Sequence, residues 1–218
     1  MSALSIASSS PITFSPVGTR HLERVNMQPA ERLFQDLDKE LRRDPNGANV
    51  ISIMKEYLST HDDWQDYMNF NEHKYARNLI GSNDMLELMV ICWLPGQVSP
   101  VHNHAGQHCW AAVLEGVVEE THFHFSSTHS PFGEGPLEAV DVHQVSAGDV
   151  SYITDDIALH VLKPANDKRV ATLHCYSKPI AECNIYCPCH GTITKRKLGF
   201  YTVNKRLQDM YDACGGSK

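Results

Sequence analysis

Two histidines separated by a single residue carry the strongest chemical signal in this chain. His102 and His104 lie within the spacing G-x5-H-x-H-x4-C-x6-G, which begins at Gly96, includes Cys109 and ends at Gly116. Residues two positions apart on a β-strand point to the same face, so both imidazoles can approach one ion. Because imidazole nitrogen is a common ligand of zinc and iron, the pattern predicts a metal site.

The elements that must position this pair come in two blocks. Residues 28–70 are predicted to be helical, because apolar residues recur at helical spacing from Pro29 to Arg43 and from Val50 to Leu58. An Asn46-Gly47 turn closes the first helix, and a short third helix is expected around Trp64 to Met68. Residues 1–27 and 206–218 are predicted to be flexible tails outside the folded unit.

From residue 71 to residue 205 the sequence consists of short apolar runs that alternate with clusters of Gly, Pro, Asn and Asp. These runs span residues 85–94, 109–114, 117–125, 150–153, 171–176 and 199–203. Such alternation is typical of an antiparallel barrel or sandwich. The predicted fold is therefore mainly β, with N-terminal helices packed on an antiparallel β-barrel.

The spacing around the two histidines resembles the first motif of the cupin superfamily, in which a glutamate stands where this chain has Cys109. A cysteine at that position resembles the cysteine dioxygenases, and other short words are similar to theirs. These words are Tyr75-Ala-Arg77-Asn78-Leu79, Ile91-Cys92-Trp93, His102-Asn-His104, His108-Cys109 and His174-Cys-Tyr176-Ser177. The resemblance covers residues 45–205 and implies a cupin-type antiparallel β-barrel, a small β-sandwich barrel, that binds Fe(II).

Two histidines are too few for a stable iron site, so a third ligand is expected from across the barrel. The second cupin motif usually supplies it, and Gly148 opens a matching stretch here. Thr154 and Asp156 replace its proline and glycine, and His160 arrives one residue late. The motif is similarly degenerate in cysteine dioxygenases, and the resemblance identifies His160 as the third ligand.

Three neutral imidazoles leave Fe(II) with its full double positive charge, whereas a glutamate ligand would cancel half of it. Such a site favours an anion, and a substrate thiol becomes one by losing its proton on binding the cation. The resemblance implies that the substrate is L-cysteine, that O2 is the co-substrate and that the product is cysteine sulfinic acid. It also implies a place in cysteine catabolism and taurine biosynthesis.

The resemblance assigns roles to five further residues. Arg77 matches a carboxylate-binding arginine, whose guanidinium can form two parallel hydrogen bonds, and Tyr75 is expected to help position the same carboxylate. Tyr176 matches a tyrosine beside the iron, and His174 matches the histidine that bonds its hydroxyl. The resemblance further implies a thioether crosslink between Cys109 and Tyr176, which would explain a thiol at the glutamate position.

Several other candidate ligands have a simpler interpretation. His122 and His124 form a second H-x-H pair, but they lack the surrounding motif and are predicted to lie on a solvated or half-buried face. The words Cys187-Pro-Cys189-His190 could be a zinc fragment, yet no second Cys or His pair lies at zinc-finger spacing. His108 is expected to point away from Cys109 as a structural or surface residue.

Composition limits the classes of partner. The chain has 218 residues and a formal net charge of -7, with no long basic run, so nucleic acid and anionic membranes are not expected partners. An odd count of 7 cysteines favours reduced thiols and a cytoplasmic protein, and we expect a monomer. Residues 1–19 carry no charged side chain, and an unstructured tail is favoured there over a transit peptide.

Two alternatives remain open from the sequence. The first is a dioxygenase for 3-mercaptopropionate or another small thiol, on the same iron and barrel. Enzymes of that type usually have glutamine where this chain has Arg77, which favours the amino acid as substrate. The second is a non-enzymatic cupin that binds a metal, which would have no need of Arg77 and Tyr176 in its pocket.

Overall fold

The computed structural model describes residues 27–126 and 135–204. The segments predicted as tails lie outside the described residues except for Met27, whose side chain is buried. Helix α1 spans Pro29–Arg43 and helix α2 spans Val50–Thr60, followed by a 3-10 turn at Asp63–Tyr67. The predicted helices are therefore confirmed, the third of them as a 3-10 turn. No helix of the described residues is long and apolar enough to cross a membrane.

Local sequence explains where α1 begins and ends. Proline occupies its first turn, and the Gln28 backbone N–H donates to Glu31 Oε2 at 3.2 Å. The helix buries an apolar stripe formed by Leu33, Phe34, Leu37 and Leu41. After the helix, Gly47 adopts a φ of +65°, and a Cβ there would approach the Trp110 ring to 2.5 Å. The turn therefore requires glycine and brings the helical layer against the sheet.

Twelve strands follow among the described residues. They are β1 Ala76–Ser82, β2 Glu87–Trp93, β3 Val101–His102, β4 Cys109–Glu115, β5 Val117–Phe125, β6 Leu137–Ser146, β7 Val150–Ile153, β8 Leu159–Pro164, β9 Val170–Tyr176, β10 Glu182–Tyr186, β11 Ile193–Lys197 and β12 Thr202–Val203. The predicted run at 199–203 shrinks to the two residues of β12. Strands β3, β6, β8, β10 and β11 lie outside the predicted runs. The side chains of β6 and β11 are largely exposed, so those two strands contain no continuous apolar run.

The strands form two six-stranded sheets. Sheet A has the order β12-β1-β2-β9-β4-β7, and sheet B has the order β11-β10-β3-β8-β5-β6. All neighbours pair antiparallel except β1 and β12, which pair parallel. The predicted cupin-type fold is confirmed, but as a two-sheet sandwich and not as a closed barrel. Among the described residues no ladder joins one sheet to the other.

Sheet A is buried on both faces, which explains why β2 reads as one continuous apolar run. Leu88 and Val90 pack in the core cluster shared with helices α1 and α2. Met89 and Ile91 point the opposite way, into a second cluster that includes Leu162 of sheet B. The space between the sheets is therefore lined from both sides, and the candidate site lies there.

Candidate metal centre and substrate pocket

Three histidines converge on the face of sheet B that lines the space between the sheets. Their ligand atoms all lie within 4.8 Å of one another. His102 on β3 and His160 on β8 are direct partners across the two strands, and His104 follows in the next loop. The three predicted ligands therefore meet. The expectation that His160 reaches them from across the barrel was wrong, because β8 is the neighbour of β3 in the same sheet.

The hydrogen bonds show which ring nitrogens are free for a metal. His102 Nδ1 lies 3.0 Å from the Pro100 carbonyl oxygen, and His160 Nδ1 donates to Glu120 Oε1 at 2.7 Å. His160 Nε2 is buried without a hydrogen-bond partner, as are both ring nitrogens of His104. Buried polar atoms normally find a partner, so these orphaned nitrogens fit a bound metal ion.

The loop that carries His104 is held by one carboxylate that the sequence analysis missed. Asp155 accepts hydrogen bonds from the backbone N–H of His104 at 2.6 Å and of Gly106 at 2.7 Å. Ala105 and Gly106 both adopt positive φ angles, of 51° and 77°. The carboxylate thus stabilises a strained turn that places the second imidazole of the H-x-H pair beside the first.

Burial keeps the three-histidine site in the form that binds metals. Burial, followed by the neighbouring His160, lowers the pKa of His102 to about 3, and the same causes hold the pKa of His104 well below its usual range. Burial acts to raise the pKa of Glu120, but the hydrogen bonds from His160 and Ser151 outweigh it and lower that pKa to about 2. Neutral imidazoles beside a charged outer carboxylate suit a divalent cation.

Side chains of sheet A face the three histidines from the other side of the pocket. The Tyr176 ring centroid lies 6.0 Å from that of His104, and the Tyr176 hydroxyl lies 3.4 Å from His174 Nδ1. Cys109 on β4 is the direct cross-strand partner of Tyr176 on β9, and both side chains are buried. Cys109 Sγ lies 3.9 Å from the same His174 nitrogen. The three residues therefore form one group beside the metal ligands.

A hydrogen-bonded chain behind His174 was also missed by the sequence analysis. Trp93 Nε1 donates to Thr172 Oγ1 at 3.1 Å, and Thr172 Oγ1 lies 3.0 Å from His174 Nε2. Because indole N–H can only donate, the threonine hydroxyl accepts there. The Thr172 hydroxyl also lies 3.3 Å from the Ile91 carbonyl oxygen, to which it can donate. The chain therefore holds the His174 ring between Thr172 on one side and the Tyr176 hydroxyl on the other.

Arg77 enters the pocket from β1, and two of its three nitrogens already have protein partners. Its Nη2 donates to Glu87 Oε1 at 2.8 Å, and its Nε lies 3.3 Å from Met89 Sδ. Its Nη1 is buried and has no hydrogen-bond partner. Because Nη1 is an NH2 group, it leaves two N–H donors for a ligand.

Tyr75 stands next to Arg77 at the mouth of the same pocket. Its ring stacks on Trp93 with the centroids 4.5 Å apart, which fixes its orientation. Burial raises the pKa of its hydroxyl, which therefore stays protonated as a hydrogen-bond donor. The pocket lining joins Tyr75 and Arg77 to His102, His104, His174 and Tyr176. The pocket thus presents neutral or positive polar groups at one end and the imidazoles at the other.

The other candidates from the sequence lie away from this pocket. His122 is half-buried beside Glu120, and the exposed His124 Nε2 lies 2.8 Å from the Ile157 carbonyl oxygen. His108 Nδ1 lies 2.7 Å from the Tyr152 hydroxyl on the outer side of sheet A. Cys187 Sγ lies 3.5 Å from His190 Nδ1, but the described residues hold no third ligand atom close enough for a metal site there.

Comparison with known proteins gives consistent matches. A family model described as cysteine dioxygenase type I matches residues 25–188. Human cysteine dioxygenase type 1 is 30% identical over 159 residues, which cover 72% of this chain and 78% of the relative. The zebrafish (Danio rerio) protein of the same name is 27% identical over 183 residues, covering 83% and 90%. A Klebsiella pneumoniae protein with a double-stranded β-helix domain aligns with a TM-score of 0.42 and 14% identity, covering 64% of this chain and 91% of that one.

Proposed function

Because the chain belongs to the cysteine dioxygenase type I family, we propose that His102, His104 and His160 hold the Fe(II) with which it oxidises L-cysteine to cysteine sulfinic acid. The observation that carries this proposal is that ligand atoms of the three imidazoles lie within 4.8 Å of one another, while the buried His160 Nε2 and both ring nitrogens of His104 have no hydrogen-bond partner. A purely structural histidine cluster would satisfy those nitrogens with hydrogen bonds.

Iron(II) supplies the positive charge that favours a substrate thiolate and the redox chemistry that dioxygen requires. The chain contributes a neutral ligand set, because burial lowers the pKa of His102 and His104. Glu120 fixes the ring orientation of His160 through Nδ1, which directs Nε2 toward the centre of the three imidazoles. Asp155 fixes the position of His104 by accepting a hydrogen bond from its backbone N–H.

Arg77 Nη1 binds the substrate carboxylate, supported by its burial and its lack of any protein partner. Glu87 holds the guanidinium in place from the other side and leaves the two N–H donors of Nη1 for the ligand. Tyr75, stacked on Trp93, donates its hydroxyl to the same carboxylate. A substrate with an acid group at one end and a thiol at the other would span the pocket from Arg77 to the histidines.

Tyr176 and His174 provide a positioned hydrogen-bond donor beside the reacting sulfur. The His174 hydrogen bond orients the Tyr176 hydroxyl, and the Thr172–Trp93 chain holds the His174 ring in place from the other side. Burial holds the pKa of the Tyr176 phenol well above its usual range, so it acts as a hydrogen-bond donor and not as an anion. Cys109 is placed to form the thioether with the Tyr176 ring, because the two residues are direct cross-strand partners.

The protein is further proposed to act as a cytoplasmic monomer on a free small molecule, without nucleic-acid or membrane partners. The net charge of -7 supports the absence of a polyanionic partner. Six free cysteines among the described residues support a reducing compartment.

Oxygen uptake by the iron-loaded protein tests the proposed function directly. With L-cysteine we expect one O2 consumed per sulfinic acid formed, with both oxygen atoms of the product derived from labelled O2. Faster turnover of 3-mercaptopropionate would indicate the related small-thiol activity. No uptake with either thiol, at full iron occupancy, would refute dioxygenase function and favour a metal-binding cupin without catalysis.

A further inference from the structure

A second group of metal-ligand side chains lies on the same inner face of sheet B, one strand beyond His160. Glu120 and His122 are two residues apart on β5, and His143 is the direct cross-strand partner of Glu120 on β6. This pairing places all three side chains on one face. Their ligand atoms lie within 4.8 Å of one another.

Both imidazoles present the same nitrogen to one carboxylate. His122 Nε2 lies 3.2 Å from Glu120 Oε1, and His143 Nε2 lies 3.3 Å from Glu120 Oε2. On its other side, His143 Nδ1 lies 3.1 Å from Asp141 Oδ2. Both Nε2 atoms therefore converge on the Glu120 carboxylate, the arrangement expected of ligands that share one cation.

We propose that Glu120, His122 and His143 form a second divalent-cation site, of the type that takes Zn²⁺, distinct from the three-histidine centre. Two imidazoles and one carboxylate are a common zinc ligand set with an open fourth position. In a tetrahedral site with bonds of about 2.0 to 2.1 Å, neighbouring ligand atoms are about 3.3 Å apart. His122 Nε2 lies 3.2 Å from Oε1 and His143 Nε2 lies 3.3 Å from Oε2, so each imidazole nitrogen is at this spacing from one of the two carboxylate oxygens.

Two further features support a metal site over a simple ion pair. Asp141 bonds the outer nitrogen of His143, which is the usual outer support of a metal-binding histidine. The site is also open on one side, because the His143 side chain is 36% exposed while that of Glu120 is 1% exposed. A cation can therefore enter from solvent and meet a buried, charged carboxylate.

The position of Glu120 links this site to the three-histidine centre. Glu120 Oε1 is shared between His122 Nε2 at 3.2 Å and His160 Nδ1 at 2.7 Å. A metal ion on the carboxylate would draw electron density from it and weaken its support of His160. Occupancy of the second site would therefore alter the iron centre through one shared side chain. This consequence rests on the proposed function, whereas the cation site itself does not.

Zinc titration of the anaerobic, iron-loaded protein, followed by desalting and analysis of both metals, tests the proposal. We expect one zinc retained per chain with the iron unchanged. His143→Ala and His122→Ala should each lose the zinc and keep the iron. Asp141→Asn should weaken zinc affinity by about 10- to 100-fold. His124→Ala is the matched control, because it lies on the same strand and bonds only the Ile157 carbonyl in this region, and it should retain zinc like the parent.

Three results would overturn the site. They are no retained zinc in the parent, zinc that merely replaces iron, and zinc that persists in both the His122 and His143 variants. Zinc exceeds iron in general affinity for such ligands, so the iron measurement is essential to detect replacement. A folding defect would show in the conservative variant His143→Gln as loss of both metals. Failure of the dioxygenase assignment would leave the difference of one zinc between the parent and His143→Ala intact.

Discussion

The buried pair of Arg77 and Glu87 makes the most demanding prediction about substrate recognition. Their side chains are 9% and 4% exposed and are joined by a bond of 2.8 Å from Nη2 to Oε1. Arg77→Ala removes the donor proposed for the substrate carboxylate and leaves Glu87 buried without its partner. Glu87→Gln keeps an oxygen that can accept from Nη2 and removes only the charge. The two variants and their combination therefore separate binding from folding.

The catalytic effect follows from the loss of a charged, desolvated hydrogen-bond partner, which costs about 2 to 5 kcal/mol. Arg77→Ala should therefore lower kcat/KM for cysteine by roughly 30-fold to several thousand-fold. Cysteamine has no carboxylate, so we expect the parent to turn it over poorly. For the same reason Arg77→Ala should change kcat/KM for cysteamine by less than about threefold. Glu87→Gln should retain cysteine turnover within a few-fold, since Nη1 remains directed into the pocket.

The stability effect has a definite sign with pH. Burial raises the pKa of Glu87 from 4.5 to about 7, against the opposing charge of Arg77. Between these values the folded chain holds a proton that the unfolded chain has released. Stability is then fully present below pH 4.5 and falls by about 1.4 kcal/mol per pH unit as pH rises toward 7. Glu87→Gln should flatten this slope, and the gain relative to the parent should be larger at pH 8 than at pH 5.

Urea unfolding from pH 5 to pH 8, with oxygen uptake on cysteine and cysteamine, measures both effects. Arg77→Ala should be destabilised by about 3 to 5 kcal/mol, because it leaves Glu87 buried without its partner. The double variant should recover much of this stability and remain as inactive as Arg77→Ala. Equal losses with cysteine and cysteamine, or a parent that prefers cysteamine, would refute the role of Arg77 in carboxylate binding.

The remaining predictions concern the metal centre and the crosslink. Alanine at any one of the three histidine ligands should remove most bound iron and the activity together, and full iron occupancy in His160→Ala would show that the third ligand is misassigned. Asp155→Asn should lower iron affinity by about 10- to 100-fold in a chelator competition, because it loosens the loop that carries His104, and an unchanged affinity would exclude this role. Repeated turnover with iron, cysteine and O2 should produce a faster band on a reducing denaturing gel, with a linked peptide lacking two hydrogens. Cys109→Ser and Tyr176→Phe should give only the slower band with reduced activity, whereas one unchanged band in all three proteins would leave Cys109 an ordinary buried thiol.

The parts of the site that sequence predicts are those that lie close together along the chain. His102 and His104 are two residues apart on one strand, so strand periodicity alone brings their rings together. The same holds for His174 and Tyr176 on β9, whose alternation places both in the core between the sheets. The helix from Pro29 to Arg43 is equally local, since its apolar stripe recurs at helical spacing.

The parts that sequence does not predict depend on how distant strands pair. His160 meets His102 because β8 lies beside β3, which no local pattern reveals. The partnership of Glu120 with His143 requires β6, a strand whose mostly exposed side chains hide it from a search for apolar runs. One signal was available for Glu120, however. It is an acidic residue at an inward-facing position of β5, and a buried charge without a partner is too costly to keep.

The two sheets carry different parts of the candidate site, which explains why a cysteine can occupy the glutamate position of the first cupin motif. Sheet B carries the proposed metal ligands, with His102 and His160 on adjacent strands. Position 109 lies on β4 of sheet A, paired with Tyr176, and its sulfur lies 3.9 Å from His174. A side chain at position 109 therefore lies beside Tyr176 and His174 of sheet A. Because the three imidazoles of the proposed iron site form a ligand set without it, the residue at 109 is available to interact with Tyr176. A metal bound by three neutral ligands would then keep the positive charge that a thiolate substrate requires.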